Sequence, residues 1–169
     1  MGIRHSSWKR EHAIVYPTVD CAIFKGDPGI FGSIYLARKE NEKGWRFVGG
    51  FVDPGDSSLE EAAEREAREE TGTKCKVLHY VASSKIDDPR YSEYDDKIVT
   101  TFFCMTVDDT REPVAMDDIK EIRIFKFDRL SPEMFIEPHR ELFKKLNSFF
   151  IKEVGVGVGS TLSNGNHLQ

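Results

Sequence analysis

Residues 49–72 read GGFVDPGDSSLEEAAEREAREETG, and this stretch decides the fold. It passes from two glycines through a run of turn formers, Asp53–Ser58, into a helical segment, Leu59–Thr71, that stops at Gly72. Ser58 and Glu61 make an S-x-x-E capping box, which sets where the helix begins. Gly72 suits the left-handed position that ends it. Leu59, Ala62, Ala63 and Ala67 give a narrow apolar stripe for packing. Glutamates fill much of the remainder: Glu60, Glu61, Glu64, Glu66, Glu69 and Glu70. Glu66 lies three residues before Glu69 and four before Glu70, so the spacing predicts three carboxylates converging on one face. Crowded like charges oppose a helix unless something positive sits among them, and a hard divalent cation with oxygen ligands meets that need. Arg65, four residues before Glu69, is a salt-bridge partner for it. Taken alone, the segment also reads as a solvated acidic helix. The glycines at 49 and 50 weigh against that, because they let backbone approach a metal or a phosphate.

Outward from this segment the chain alternates strands and turns. PTVDCAIFK (17–25) and SIYLA (33–37) read as a hairpin across the turn GDPG (26–29). A charged connection, RKENEKG (38–44), leads to a short apolar stretch, Trp45–Val52. Beyond Gly72, strands are expected over 74–83, 98–107 and 121–127, with a polar loop at 85–97 and an acidic loop at 108–117. A helix is expected over Pro132–Val154, with Leu142, Phe143, Leu146, Phe149 and Phe150 near one face. The Gly/Ser/Asn-rich segment 155–169 reads as a tail on a single domain, 1–154. Mixed strands and helices without strict βαβ alternation indicate α+β, or an α/β/α sandwich with a mixed central sheet.

The bulk properties set limits. The 169 residues are 39% hydrophobic and 31% charged, as in a soluble globular domain. No apolar run approaches 18 residues, so no membrane association is expected. A net charge of −5 argues against tracking nucleic-acid backbone but not against a small phosphorylated ligand. Cys21, Cys75 and Cys104 are odd in number and widely spaced, which suits reduced core thiols in a cytoplasmic protein.

Residues 65–72, REAREETG, together with the upstream glycines, resemble the Nudix box, whose core is R-E-(apolar)-x-E-E-x-G. The resemblance implies an α/β/α Nudix fold and a pyrophosphohydrolase dependent on Mg²⁺, with Mn²⁺ as the alternative. It implies Glu66, Glu69 and Glu70 as metal ligands, with the carbonyl of Gly49 or Gly50 completing the set. Glu69 and Arg65 would belong to the catalytic machinery, Arg65 by orienting a glutamate. Two departures touch the loop: Asp56 stands where the family has Glu, and the spacer from Asp56 to Arg65 is one residue longer. Phe47-Val48 also replaces the frequent Leu-Pro.

In this family the catalytic base often lies outside the box, before the last strand. The candidates are Asp117, Asp118 and Glu121, and alignment of RIFKFDRL (123–130) with the closing strand favours Asp118. Arg38, Lys39 and Arg46 are candidate phosphate-binding cations, and Arg90 with Tyr91 is a candidate for phosphate and base. Thr18-Val19-Asp20 and the ending EPHREL (137–142) around His139 look like the ADP-ribose pyrophosphatase type. The implied substrate is a nucleoside diphosphate joined to another group, such as ADP-ribose, a nucleotide sugar or a dinucleotide. Nucleoside triphosphate hydrolysis and a non-catalytic nucleotide-sensing module are the alternatives. The same resemblance suggests a homodimer.

Overall fold

The computed structural model describes residues 13–88 and 95–159. In chain order the elements are β1 (Val15–Lys25), β2 (Ser33–Lys39), β3 (Val48–Phe51), α1 (Leu59–Thr71), β4 (Cys75–Ile86), β5 (Lys97–Val107), β6 (Ile119–Lys126) and α2 (Glu137–Gly159). The strands form one sheet in the order β4-β5-β1-β2-β6, with β3 also paired to β1. The β1–β5 pair is parallel and the other pairs are antiparallel, so the sheet is mixed as expected.

β1 is the centre of the architecture. Its C-terminal end pairs with β2 through Ile23–Lys25, while Thr18–Cys21 pair with β3. Both partners use the same edge of β1, and the chain between them forks away. Alternation along β1 then feeds two cores. Val19, Cys21 and Ile23 point to α1 and pack with Ala62, Ala63 and Ala67. Ala22 and Phe24 point the other way, to Leu142, Leu146 and Phe150 of α2. The sheet is thus covered on both faces, an α/β/α sandwich. Alanines on α1 let that helix lie close to the sheet, near enough for the Cys21 thiol to donate to the Ala63 carbonyl. All three cysteines are free and buried.

Several element boundaries differ from the sequence reading. β2 runs to Lys39, taking in two residues read as loop, and β4 runs to Ile86. The last helix does not begin at Pro132. Pro132–Met134 is a 3₁₀ turn and α2 starts at Glu137. The cause is non-local: Trp45 N–H donates to the Met134 carbonyl and Ile136 N–H donates to the Trp45 carbonyl, holding Phe135 extended. Gly44 permits that approach, since a Cβ there would lie 2.7 Å from the Ile136 nitrogen. At its other end α2 continues to Gly159 instead of ending at Val154. Among the described residues no helix is long and apolar enough to cross a membrane.

Candidate active site and metal centre

The glutamate helix is fixed at both ends by local chemistry. Ser58 caps α1, its hydroxyl accepting from Glu61 N–H at 3.1 Å. The reciprocal arm of the capping box is displaced by one residue, because the Glu61 carboxylate accepts from the N–H and hydroxyl of Ser57. Gly72 closes the helix at φ +66°, donating to the Arg68 carbonyl.

Arg65 ties loop, helix and sheet together. Its Nε and Nη2 grip Asp56 in a two-pronged pair at 2.9 Å each. Nη2 also donates to the Phe51 carbonyl, and Nη1 reaches Glu66 at 2.8 Å and Glu69 at 3.0 Å. This assigns the departure at Asp56. The extra residue is absorbed in a turn in which Asp56 N–H donates to the Asp53 carbonyl and its carboxylate accepts from Asp53 N–H. The shorter side chain then reaches Arg65. Hydrogen bonds from Arg65, then from Asp53, hold the Asp56 carboxyl below its ordinary value. Arg65→Lys keeps the charge but loses the fork. It is expected to lower kcat about 10²-fold by letting Glu66 and Glu69 drift, measured in a steady-state assay with circular dichroism as the folding control.

The three box glutamates occupy different environments. Glu70 is 3% exposed; its Oε2 accepts from Gly49 N–H at 2.9 Å and its Oε1 lies 3.7 Å from Lys39 Nζ. Burial pushes its carboxyl up to about 7 against those two favourable contacts. Glu66 lies against the glycine loop, where a Cβ on Gly50 would come within 2.7 Å of its carboxylate. Burial again raises its carboxyl. Glu69 is about half exposed and is held by Arg65. With the side chains as they stand, among the described residues no group of three acidic, histidine or cysteine side chains is placed to hold a metal ion. Arg65 is the physical reason, since its guanidinium lies between Glu66 and Glu69 and supplies the positive charge that the spacing argument gave to a cation. The donor set nevertheless fits a hard cation in kind. Two partly desolvated carboxylates lie along a glycine backbone, and a cation would relieve the burial cost that raises both.

A cavity of about 480 Å³ opens where β2 and β3 fork from β1, lined by Asp20, Lys39, Arg46, Gly49, Gly50, Asp118 and His139 among others. Asp118 reaches it through a 2.5 Å ion pair with Lys39 Nζ. Arg46 lines it while paired with Glu42 at 2.9 Å. Arg38 does not line it. Its guanidinium pairs with Glu121 and lies 4.8 Å from the centre of the Trp45 ring, on the opposite face of β2 from Lys39. Arg90 and Tyr91 lie outside the described residues. A larger hollow, about 590 Å³, flanks the other side of α1 and is lined by side chains of both signs but by none of Glu66, Glu69 and Glu70.

Sequence reasoning gave Asp20 no role of its own in the site. Its carboxylate is buried at the cavity floor, accepts from the Thr100 hydroxyl at 2.6 Å and is pushed up to about 7 by burial. The available signal was a lone acid in the apolar strand PTVDCAIFK. His139, on the first turn of α2, accepts at Nδ1 from Phe47 N–H at 3.1 Å and stacks on the Phe47 ring. Burial drives its pKa down to about 3, so the imidazole is neutral.

The model of the NUDIX domain family matches residues 16–146. The chain belongs to the Nudix family. Nudix hydrolases generally use divalent metals, and Nudix proteins bind nucleotide derivatives. A 56-residue segment of this Nudix chain is 41% identical to the Bacillus subtilis (strain 168) protein named "Putative 8-oxo-dGTP diphosphatase YtkD", covering 33% of the chain and 35% of that protein. The chain therefore spans about a third of that curated relative's length. Among solved structures, a UDP-X diphosphatase superposes with a TM-score of 0.63 at 22% identity, covering 85% of this chain and 66% of that one. The NUDIX domain of Shewanella oneidensis NrtR, solved with ADP-ribose, gives 0.62 at 17% identity, with 81% and 89% covered. An ADP-ribose pyrophosphatase from Streptococcus suis 89-1591 gives 0.56 at 18% identity, with 91% and 96% covered. At these identities the structural likenesses establish the fold.

Proposed function

We propose that this Nudix chain is a Mg²⁺-dependent pyrophosphohydrolase that cleaves the diphosphate of a nucleoside diphosphate joined to a second group, of the ADP-ribose, nucleotide-sugar or dinucleotide type. One observation carries the reading. A buried carboxylate, Glu70, and a half-buried one, Glu66, lie along the Gly49-Gly50 backbone beside a cleft that also holds Lys39, Arg46 and Asp118. That combination suits a polyanion whose charge is shared between metal and protein cations.

Glu66, Glu69, Glu70 and the Gly50 carbonyl would hold the metal, which when bound neutralises diphosphate charge and acidifies a coordinated water. Lys39 and Arg46 would face the phosphate oxygens. Lys39 can release Asp118 to take up a phosphate, leaving that carboxylate to orient water or accept its proton. Arg65 holds the glutamates rather than the substrate. The three free thiols suit a reducing, cytoplasmic setting. The segment shared with the named 8-oxo-dGTP diphosphatase favours a second reading, hydrolysis of a modified or ordinary nucleoside triphosphate.

Incubation with Mg²⁺ and ADP-ribose, NADH, nucleotide sugars, diadenosine polyphosphates, dNTPs and 8-oxo-dGTP separates these. Turnover of a diphosphate-linked compound, abolished by excess EDTA and restored by Mg²⁺ or Mn²⁺, is the expected result. Preference for a triphosphate selects the second reading. Binding without turnover across the panel identifies a sensing module and overturns both.

A further inference from the structure

We infer that Asp20 and His139 form a hydroxyl-binding pair at the floor of the cleft, and that this pair reads one sugar hydroxyl of the substrate. The inference rests on the reading of the cleft as a nucleoside diphosphate site. Both residues line the cavity, yet they come from opposite parts of the chain, β1 and the first turn of α2. Each has one polar atom already committed. Asp20 Oδ2 accepts from the Thr100 hydroxyl at 2.6 Å, and His139 Nδ1 accepts from Phe47 N–H at 3.1 Å. A neutral imidazole that accepts at Nδ1 carries its proton on Nε2.

The remaining atoms, Asp20 Oδ1 and His139 Nε2, are 3.8 Å apart, too far for a hydrogen bond to each other. Among the described residues neither has another hydrogen-bond partner. Among the described residues no fully buried side-chain nitrogen or oxygen lacks a partner. The two atoms therefore meet the cavity, one as a donor and one as an acceptor. A single oxygen about 2.8 Å from each spans the gap. It must accept from Nε2–H and donate to Oδ1, which is the chemistry of a hydroxyl. Because both residues are more than nine-tenths buried and braced by Thr100 and Phe47, the pair is preorganised and cannot readily follow a displaced ligand.

The test is a cycle between substrate and protein. ADP-ribose and its monodeoxy derivatives, each lacking one sugar hydroxyl, are compared on the wild-type chain and on Asp20→Asn. In the variant the amide oxygen is kept by the Thr100 hydroxyl, which turns the amide nitrogen toward His139, and the acceptor is lost. Removing one particular hydroxyl is expected to cost the wild type about 10- to 100-fold in kcat/KM and the variant little. His139→Phe, which keeps the stack on Phe47 but loses the donor, is the second variant and is expected to level the same pair. His139→Gln, which can still accept from Phe47 N–H and donate to Asp20's partner, is expected to keep the discrimination. The same cycle run on Kd by calorimetry covers the case of no turnover. Absence of turnover in the wild type would overturn the hydrolase reading alone. Equal penalties for every monodeoxy derivative in wild type and variants would overturn the hydroxyl site, whether or not the parent is hydrolysed.

Discussion

Glu69→Gln is expected to lower kcat by about 10² to 10⁴-fold while leaving the thermal midpoint almost where it was. The substitution keeps the size of the side chain and removes the charge that either metal ligation or proton acceptance requires. The fold loses little, because Glu69 is about half exposed and its one described tie is the i,i+4 pair with Arg65. Exposed pairs of that kind are worth only about 0.3–0.5 kcal/mol. Parallel measurements of kcat and of the unfolding midpoint check both halves. A variant as active as wild type would remove Glu69 from the chemistry, and a variant that unfolds would mark it as structural.

Gly49→Ala is expected to destabilise the fold by about 3 kcal/mol or more and to abolish activity with it. Gly49 sits at φ +154°, and a Cβ there would lie 2.1 Å from the Val19 carbonyl and 2.9 Å from the Asp20 Cα. Those atoms are backbone of the central strand and cannot turn aside. Moving Gly49 away breaks the β1–β3 pairing at Asp20 and withdraws the N–H that anchors Glu70. Gly50→Ala should behave differently, since its Cβ would press on the Glu66 side chain, which can move. Activity should fall more than stability there. Gly55→Ala meets nothing within 4 Å and serves as the neutral control. Urea titration of the three variants orders them, and equal stability of Gly49→Ala and Gly55→Ala would contradict the account.

The parts of the site that could be read in advance are those whose causes are local. The limits of α1 follow from Ser58, Glu61 and Gly72, residues that act on their immediate neighbours, and each is where it was expected. The glutamate spacing was equally plain. What the spacing could not settle was which positive group lies among the carboxylates, since an arginine inside the helix and a cation outside it answer the same repulsion. Which of the two candidates Arg38 and Lys39 faces the cleft was not legible, for a different reason. Adjacent strand residues face opposite ways, and Ile34–Ala37 are apolar on both faces because both are buried, so no alternation marked which side held the cleft. The start of α2 depends on pairing with Trp45, some ninety residues earlier in the chain, and Asp20 depends on Thr100 and His139 from two other elements. Such contacts leave no periodic trace.

The glycine loop and the glutamate helix together are proposed to hold the catalytic metal. Anomalous diffraction from crystals grown with Mn²⁺ tests it most directly. The expected peak is bounded by Glu66, Glu69, Glu70 and the Gly50 carbonyl, with Arg65 withdrawn toward Asp56. A fully occupied peak elsewhere, such as in the hollow beside Glu64 and Asp108, with none among the box glutamates, would contradict it.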